Sequence, residues 1–359
     1  VGGTENEDKV ELIAIERLKK LFGCGHANLQ SGNATIANSS VFMGLLQPGD
    51  TVLSMSLNDG GHLSHGAKFH FSGKFYNIVQ YGVMAEDECI DMKMVRELAI
   101  RHKPKMIVCG GSAYPRLIDY AGFRKIADEV GAYLWVDAAH IIGLIAGKVI
   151  PSPVPYADVV AFSTQKTLRG PRGCGVILCK EELKNKIDRG VFPGMQGGPK
   201  ADMIAARAVL FKECMTQEYQ CYQKQVVRNA KALAQGCKDE GLKLVTDGTD
   251  THLALVKVTD YVESGREAEL LLESVGIVTN KNLIPFDTLN SNLTSGIRIG
   301  SPLMTTRGAK EDEMRRIGQL IGITLKNKKN SQTLDDIGKE VNRITEQYPM
   351  FSKEWVPGK

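Results

Sequence analysis

The most constraining feature of this chain is the alternation, through its first half, of short apolar segments with amphipathic helical segments. The pattern predicts strands over residues 51–55, 105–109, 132–136, 157–162 and 175–179, and helices over residues 9–22, 34–46, 92–100 and 120–130. Such alternation is typical of βαβ units built around a mostly parallel sheet. Ligands bind such sheets at the carboxyl ends of the strands, so the residues that follow each strand are the first candidates for chemistry.

The alternation of predicted strands and helices ends near residue 200. The pattern there predicts a long helical stretch over residues 201–236 with a break near Thr216, strands over residues 242–245 and 253–258, and helices over residues 267–274, 311–325 and 334–347; the segment between the first two of these helices is predicted to be a loop rich in Asn, Pro and Thr. A chain of 359 residues has room for two domains. We predict a large α/β domain over residues 1–212 and a smaller α+β domain over residues 213–359.

Composition excludes several classes of protein. The 45 basic and 41 acidic residues give a net charge of +4, which is too mild to indicate nucleic-acid binding. No apolar run approaches the ~20 residues of a membrane helix, and no leader segment is apparent. The eight cysteines are scattered and form no Cys-x-x-Cys pair, which favours reduced thiols. We therefore expect a cytoplasmic enzyme with small-molecule substrates.

The motifs of several large enzyme classes are missing. The chain has no Gly-x-Gly-x-x-Gly after a strand, no Walker lysine, no His-Glu-x-x-His and no Gly-x-Ser-x-Gly. This disfavours dinucleotide, nucleotide, zinc-protease and α/β-hydrolase functions.

Polar residues follow three of the predicted strands. Asp137 and His140 follow one, Lys166 another and Ser112 a third. An acid and a lysine at neighbouring strand ends suit pyridoxal phosphate (PLP), because the lysine forms a Schiff base and the aspartate pairs with the protonated pyridine nitrogen. The alternative is an aspartate that caps a helix and a lysine that is merely solvated.

Two further segments have both a structural and a functional interpretation. The run QSGNAT at residues 30–35 opens the second helix, where backbone amides suit a phosphate, although Ser, Asn and Thr are also ordinary helix caps. Asp59, His62 and His65 lie in a glycine-rich segment. They could ligate a metal, or one imidazole could stack on a flat cofactor ring; the small ligand set makes a metal the weaker hypothesis.

Six runs together resemble the serine hydroxymethyltransferase family. They are GGHLSHG at residues 60–66, SAYPR at 112–116, DAAHI at 137–141, TQKTLRGPRG at 164–173, FPGMQGGP at 192–199 and TSGIRIG at 294–300. They occur in the family's order, and several are long and rare. The resemblance implies a PLP-dependent, aminotransferase-like large domain of fold type I. It also implies a homodimer or tetramer with active sites shared between subunits.

The resemblance implies a role for each matching residue. Lys166 would form the Schiff base, Asp137 would bind the pyridine nitrogen and His62 would stack on the ring, with His140 and Ser112 near the 3-hydroxyl group; Asn33, Ala34 and Thr35 would hold the phosphate, and Gly197 and Gly198 would reach the phosphate of the neighbouring subunit. Among these, Lys166, Asp137, His62 and His140 would be catalytic.

The same resemblance implies which residues bind the substrates. Arg298 would bind the amino-acid carboxylate, because a guanidinium fork matches that planar anion, and Ser112 would lie beside it. Leu57 and Leu63 would flank the pterin of tetrahydrofolate, and Asn282 would hydrogen-bond it.

The chain departs from the family pattern at several positions. Gln165, the residue directly before Lys166 and a candidate cofactor contact, stands where a histidine is usual. The phosphate turn is Asn33-Ala34-Thr35 and not the usual Ser-Gly-Ser, and Asp59 and Asp202 stand where histidines are common. These departures indicate a divergent branch.

The opening residues, Val1-Gly2-Gly3, resemble a point inside the family pattern. We therefore expect the family's preceding segment, with its folate-contacting glutamate, to be missing.

The predicted function is the PLP-dependent interconversion of L-serine and glycine, with transfer of the hydroxymethyl carbon to tetrahydrofolate. One alternative is a folate-independent threonine transaldolase or β-hydroxy-amino-acid aldolase, slightly favoured by Gln165 and the altered phosphate turn. Another is an α-methylserine-type hydroxymethyltransferase. A PLP-free paralogue is disfavoured by the intact Lys166, Asp137 and Arg298.

Overall fold

The computed structural model describes residues 3–350, so the predicted family start at Val1-Gly2 and the last nine residues of the predicted small domain lie outside the described residues. Two compact units make up the described chain. The first contains residues 3–84, Ile90–Tyr114 and Ile118–Gln223. The second contains Ala85–Cys89, Pro115–Leu117 and the chain from Lys224 onward.

The first unit is built on a seven-stranded sheet. Its strands are β1 (His26–Asn28), β2 (Thr51–Met55), β3 (Asn77–Tyr81), β4 (Met106–Cys109), β5 (Tyr133–Asp137), β6 (Val159–Ser163) and β7 (Gly175–Cys179). In the described chain they lie in the order β1-β7-β6-β5-β4-β2-β3. Strands β2 to β6 run parallel, and β7 is antiparallel to both of its neighbours. The carboxyl ends of β4, β5 and β6 therefore lie side by side at one edge of the sheet.

Helices surround this sheet along the chain. They are α1 (Glu5–Phe22), α2 (Ala34–Leu45), α3 (Phe71–Phe75), α4 (Met92–His102), α5 (Tyr120–Val130), α6 (Ile142–Ala146), α7 (Lys184–Arg189), α8 (Ala201–Glu213) and the start of α9 (Gln217–Asp239), with short helical turns at Leu63–His65, Glu181–Leu183 and Gly190–Met195. Asp91 and Asp119 cap α4 and α5 by accepting hydrogen bonds from backbone amides of the first turn. Helices α1 and α5 end at Gly23 and Gly131, whose left-handed backbone suits a residue without a side chain.

The central strands are buried on both faces, as uninterrupted apolar runs in a covered parallel sheet predict. Side chains alternate between two cores along β5. Leu134 and Val136 pack into one core with Phe162, while Trp135 packs into the other. The sheet is thus a rigid platform that fixes the positions of its strand ends.

The second unit carries an antiparallel sheet. Its strands are β8 (Lys243–Leu244), β9 (Leu253–Lys257), β10 (Asn280–Asn282) and β11 (Gly296–Gly300), in the order β10-β11-β9-β8 over the described residues. Its helices are the rest of α9, then α10 (Gly265–Ser274), α11 (Pro302–Arg307), α12 (Glu311–Lys326) and α13 (Ser331–Gln347), with a short turn at Val245–Asp247. Their apolar faces enclose a separate core that includes Val256, Ile297 and Leu320.

The α/β fold with a mostly parallel central sheet is confirmed. The predicted bounds of β2, β7 and α5 match the structure, and the break in the long helix falls between α8 and α9. The predicted loop after residue 274 is wrong, because that segment contains β10, β11 and α11. Strand β10 has the sequence Asn-Lys-Asn, whose polarity hides a strand that exists through its pairing with β11.

Two short strands, β1 and β3, were not expected from the sequence. The three residues of β1 include the polar His26 and Asn28, which give no alternation signal.

The compact units divide within α9, after Gln223. The predicted domain boundary near Lys212 stays a prediction. Within residues 3–350 no helix combines the length and the apolar character needed to cross a bilayer.

Candidate active site

Three strand ends converge at one edge of the first sheet. Strand β5 ends at Asp137, which lies opposite Ala161 of β6, and the chain after β4 passes beside it. Gly110 makes this approach with a φ of 98°, and a Cβ there would lie 2.1 Å from the Asp137 carbonyl oxygen. Only glycine fits this position, which leads the chain onward to Ser112.

The carboxylate of Asp137 is buried and accepts three hydrogen bonds. Its Oδ2 accepts from His65 Nε2 at 2.8 Å and from Asn38 Nδ2 at 3.0 Å, while Oδ1 accepts from the backbone amide of Ala139 at 3.0 Å. Burial raises the pKa of Asp137, but the hydrogen bonds from His65 and from the Ala139 amide outweigh it and hold the pKa well below its usual range. The group is therefore an anion at neutral pH.

His62 is a neutral imidazole near this anion. Its Nδ1 lies 2.6 Å from Ser64 Oγ and accepts a hydrogen bond from the Ser64 amide at 3.2 Å. Burial lowers the pKa of His62 to about 4, and the nearby anion Asp137 opposes this shift only in part. The His62 ring is therefore uncharged at neutral pH.

The loop that carries Lys166 is fastened to the end of β5. Thr167 Oγ1 donates to the His140 carbonyl oxygen at 2.7 Å and accepts from the Gly143 amide at 3.0 Å. Thr164 Oγ1 donates to the Pro171 carbonyl oxygen at 2.6 Å and closes the loop on itself. Thr167 thus fixes the Lys166 segment beside the His140 segment, as the sequence predicts for neighbouring strand ends, and Thr164 fixes the shape of the loop.

The loops after β2 and β4 are also joined. The Ser112 amide donates to the Gly60 carbonyl oxygen at 2.7 Å, which ties the Ser112 loop to the turn that leads into His62. In this segment Leu57 is half-buried and Leu63 is exposed. Asp59 is half-buried, and burial raises its pKa although Ser56 hydrogen-bonds it.

The turn at the start of α2 combines a helix cap with open amides. Asn33 Oδ1 accepts from the Ile36 amide at 2.9 Å, so the ordinary cap is present. Within residues 3–350 the amides of Ala34 and Thr35 have no hydrogen-bond partner. Two unpaired amides at a helix N-terminus are donors available to a phosphate.

Gln196 braces the same turn from a distant part of the chain. Its Oε1 accepts from the Gly32 amide at 3.0 Å and its Nε2 donates to the Gln30 carbonyl oxygen at 2.6 Å. The next two residues, Gly197 and Gly198, are exposed, and a Cβ on either would meet no atom within 4 Å.

The two predicted substrate residues outside this region belong to the second unit. Arg298 lies on β11, opposite Leu255 and Asn280, and burial lowers the pKa of its guanidinium. Asn282 lies on β10 opposite Gly296, and its Nδ2 donates to the Leu283 carbonyl oxygen at 2.6 Å.

The sequence does not indicate Asn38 or Ser64 as contributors to the site, and it indicates His65 only as a candidate metal ligand or ring-stacking imidazole and not as a partner of Asp137. All three side chains are buried. Asn38 follows Ala34 by four residues, so helical spacing alone places it on the face of α2 that begins at the candidate phosphate turn. That spacing was the available signal.

The ligand atoms of His62, His65 and Asp137 all lie within 4.8 Å of one another, which is compatible with a metal cluster. However, His65 Nε2 is hydrogen-bonded to Asp137, and His62 Nδ1 is hydrogen-bonded to Ser64. A metal bound through these two nitrogens would have to break both bonds, and in the described chain the two nitrogens serve a hydrogen-bond network.

The same residues fit PLP. A carboxylate has about four acceptor directions, and the described residues fill three on Asp137, which leaves one on Oδ1 for a protonated ring nitrogen. Several buried side-chain atoms of the surrounding segments have no hydrogen-bond partner in the described chain: Ser31 Oγ, Asn38 Oδ1, Ser163 Oγ and Gln165 Oε1. Unpaired buried polar atoms are costly, which indicates that a polar group completes them.

The family model for serine hydroxymethyltransferase matches residues 1–321 of the 359-residue chain. This match extends over both the parallel and the antiparallel sheet. The chain therefore belongs to the serine hydroxymethyltransferase family, whose members are PLP-dependent transferases of fold type I.

Proposed function

We propose that this member of the serine hydroxymethyltransferase family interconverts L-serine and glycine and passes the hydroxymethyl carbon to tetrahydrofolate. The observation that carries the proposal is Asp137, a buried anion with one open acceptor direction beside the Lys166 loop. Family membership supports the class of reaction, and the residue pattern supports the particular substrates.

PLP, when bound, supplies an electron sink for the bonds broken at the substrate Cα. The chain's own residues have distinct tasks. Asp137 holds the proton on the ring nitrogen, because an ionised carboxylate stabilises that cation. Lys166 would hold the cofactor covalently, and once the amine of the substrate had displaced it, its freed amine would accept or return a proton at the substrate Cα. His62 covers one face of the ring as a neutral imidazole, while His140 and Ser112 hydrogen-bond the ring's 3-hydroxyl group.

The phosphate is held at the start of α2 in this proposal. Asn33, Ala34 and Thr35 supply the turn, and two of their amides have no other partner in the described chain. Gly197 and Gly198 approach the phosphate bound to a second copy, which makes the active unit a homodimer or a tetramer of such dimers. Their exposure and lack of neighbours support a contact outside their own chain.

The substrates bind through the remaining predicted residues. Arg298 binds the amino-acid carboxylate, Leu57 and Leu63 enclose the pterin, and Asn282 hydrogen-bonds it. The lowered pKa of Arg298 still leaves a guanidinium cation, and desolvation strengthens its attraction for an anion. We place the enzyme in the cytoplasm, in keeping with eight cysteines that are all unpaired thiols.

One observation favours a second candidate. Gln165 holds a position where the family usually has a histidine, and its Oε1 is buried without a partner in the described chain. A neutral amide cannot take up a proton as an imidazole does, so steps that depend on that histidine would be lost. A folate-independent threonine transaldolase or β-hydroxy-amino-acid aldolase would not need them. An α-methylserine-type enzyme would differ only in the space at the substrate Cα.

A spectroscopic titration tests the proposal. The full chain loaded with PLP is mixed with glycine and then with tetrahydrofolate, and Lys166→Ala is the control that cannot hold the cofactor covalently. We expect glycine alone to change the cofactor spectrum and tetrahydrofolate to raise a long-wavelength band. If glycine acts but folate adds nothing, the folate half of the proposal is wrong.

Product assays separate the alternatives. Release of acetaldehyde from threonine faster than formation of glycine from serine would identify the aldolase or transaldolase function. Turnover of α-methylserine faster than that of serine would identify an α-methylserine-type hydroxymethyltransferase. The proposal requires serine to be the best of the three substrates when tetrahydrofolate is present.

A further inference from the structure

We propose that Asn38 and Ser64 form a hydrogen-bond relay from Asp137 that fixes His62 as the tautomer with its proton on Nε2. The functional meaning of this relay rests on the proposed PLP function, but the relay itself is a property of the chain. It gives two residues that the sequence did not single out a positioning role in the site.

The first link fixes the orientation of Asn38. Its amide lies 3.0 Å from Asp137 Oδ2 and 2.8 Å from Ser64 Oγ. The carboxylate is ionised and can only accept, so the group facing it must be the NH2 and not the carbonyl oxygen. One proton of that NH2 goes to Asp137, and the other goes to Ser64.

The second link fixes the hydroxyl of Ser64. Because Ser64 Oγ accepts from Asn38, its single proton is left to be donated elsewhere. His62 Nδ1 lies 2.6 Å away, and the Ser64 amide donates to the same nitrogen at 3.2 Å. Two donors converge on Nδ1, so this nitrogen carries the lone pair and Nε2 carries the proton.

The opposite tautomer is incompatible with these contacts. A proton on His62 Nδ1 would face the amide proton of Ser64, and it would force Ser64 Oγ to accept from two donors with its own proton unplaced. His65 follows the same rule, since its Nε2 donates to Asp137 and its Nδ1 accepts from the His62 amide at 3.4 Å. Both imidazoles therefore carry their proton on Nε2.

The relay has a consequence for charge. Protonated His62 would place a cation near Asp137 that competes with a protonated ring nitrogen for the carboxylate. Donation to Nδ1 from Ser64 removes the site at which that proton would be taken up. The negative charge of Asp137 is thereby kept for the ligand, and His62 faces the cofactor uncharged.

A purely local explanation is also available and makes a different prediction. His62 caps the short turn Leu63–His65 by accepting from the Ser64 amide, and such a cap needs no help from α2. In that case Asn38 would be irrelevant to the tautomer. The relay requires a dependence on Asn38, which lies 26 residues away from Ser64 in the chain.

Nitrogen-15 NMR of histidine-labelled full-length protein, recorded before and after PLP is added, tests the relay. His62→Gln identifies the His62 signals. We expect the wild type to show a protonated Nε2 and an unprotonated Nδ1 at pH 7. Ser64→Ala should lower the ratio of the two tautomers about tenfold, or about 1.4 kcal/mol, because only the weaker amide donor remains. Ser64→Thr, which keeps the hydroxyl, should restore the wild-type ratio.

Asn38→Ala should lower the ratio as well, and Asn38→Ser, with one donor proton in place of two, gives the same test if the alanine variant does not fold. A protonated Nδ1 in the wild type would overturn the relay. An unchanged ratio in the Asn38 variants would leave only the local cap and would also overturn it. A protein that shows the expected tautomer but binds no PLP would refute the proposed function and leave the relay standing.

Discussion

Two buried carboxylates at opposite ends of the central sheet show what distinguishes a structural anion from a functional one. Asp158 lies just before β6, at the amino end of the parallel strands, and Asp137 ends β5 at the carboxyl end. Both are largely buried, and both have a pKa below the usual range, since hydrogen bonds and nearby charges outweigh the effect of burial.

Their partners differ in charge. Asp158 contacts two permanent cations, with Lys180 Nζ at 2.6 Å and Arg124 NH1 at 2.8 Å, and it accepts from the Leu134 amide at 2.7 Å. Asp137 accepts hydrogen bonds from two side-chain donors, Asn38 and His65, and from one backbone amide. Asp158 is therefore paired with two cations of its own chain, whereas in our proposal the open acceptor direction of Asp137 is taken by a cationic ligand.

The largest expected effect comes from neutralising Asp137. In Asp137→Asn the side chain keeps its shape but cannot stabilise a protonated ring nitrogen. We expect kcat with serine to fall by roughly 10³-fold, comparable to the loss of a preorganised charge contact in other enzymes. Steady-state kinetics at saturating PLP measure this. A variant with near wild-type kcat would show that Asp137 is merely structural.

Asp158→Asn is the matched change at the other end of the sheet. It leaves Lys180 and Arg124 near a neutral amide, and we expect the free energy of unfolding to fall by about 3 kcal/mol. Chemical denaturation measures this loss, and kcat of the folded fraction should stay unchanged. The comparison fails if Asp158→Asn lowers kcat as much as Asp137→Asn does.

The sequence placed Asp137 and Lys166 correctly at strand ends because that information is local. A run of apolar residues followed by a polar one marks a strand end, and parallel strands bring their ends together. The predicted cap at Asn33 is local too, since its partner is three residues away.

The partners of Asp137 could not be found in this way. Asn38 and His65 lie 99 and 72 residues from it in the chain, so their contacts depend on how α2 and the loop after β2 pack onto the sheet. A lone Asn inside an apolar helix or a His in a glycine-rich turn carries no signal of its partner. For the same reason, β10 could not be recognised until its pairing with β11 was known.

The His65 contact accounts for part of the difference between the two carboxylates. His65→Leu removes a donor from the Asp137 anion, which should raise the Asp137 pKa and weaken PLP binding about tenfold, as expected for one hydrogen bond to a charged group. His65→Gln can still donate from its amide and should recover most of the affinity. The dissociation constant for PLP, measured by cofactor absorbance, gives both values. Equal affinity in the leucine variant would mean that His65 only fills space.

The smallest expected effect is on the pH dependence of the free energy of unfolding. His62 contributes to this dependence, and Asp158 does not. Burial lowers the pKa of His62 from 6.5 to about 4, so between these values the unfolded chain binds a proton that the folded chain excludes. Acid therefore favours unfolding between these two pH values. His62→Gln should remove this contribution to the slope of the free energy of unfolding against pH. The free energy of unfolding of the wild type should fall by on the order of 1–2 kcal/mol more than that of the variant between pH 7 and pH 5.

The carboxylates act at lower pH. The pKa of Asp158, like that of Asp137, is depressed from 3.8, so its stabilising effect is complete above that value and is lost only as the pH falls further. Asp158→Asn should accordingly leave the slope between pH 7 and pH 5 unchanged. Parallel urea titrations of the wild type, His62→Gln and Asp158→Asn separate the two contributions, because the other histidines are common to all three proteins and cancel. If the free energy of unfolding of the wild type had the same pH slope as that of His62→Gln, His62 would take up its proton in the folded chain. That result would conflict with the proposal that the Asp137 carboxylate is kept for a cationic ligand.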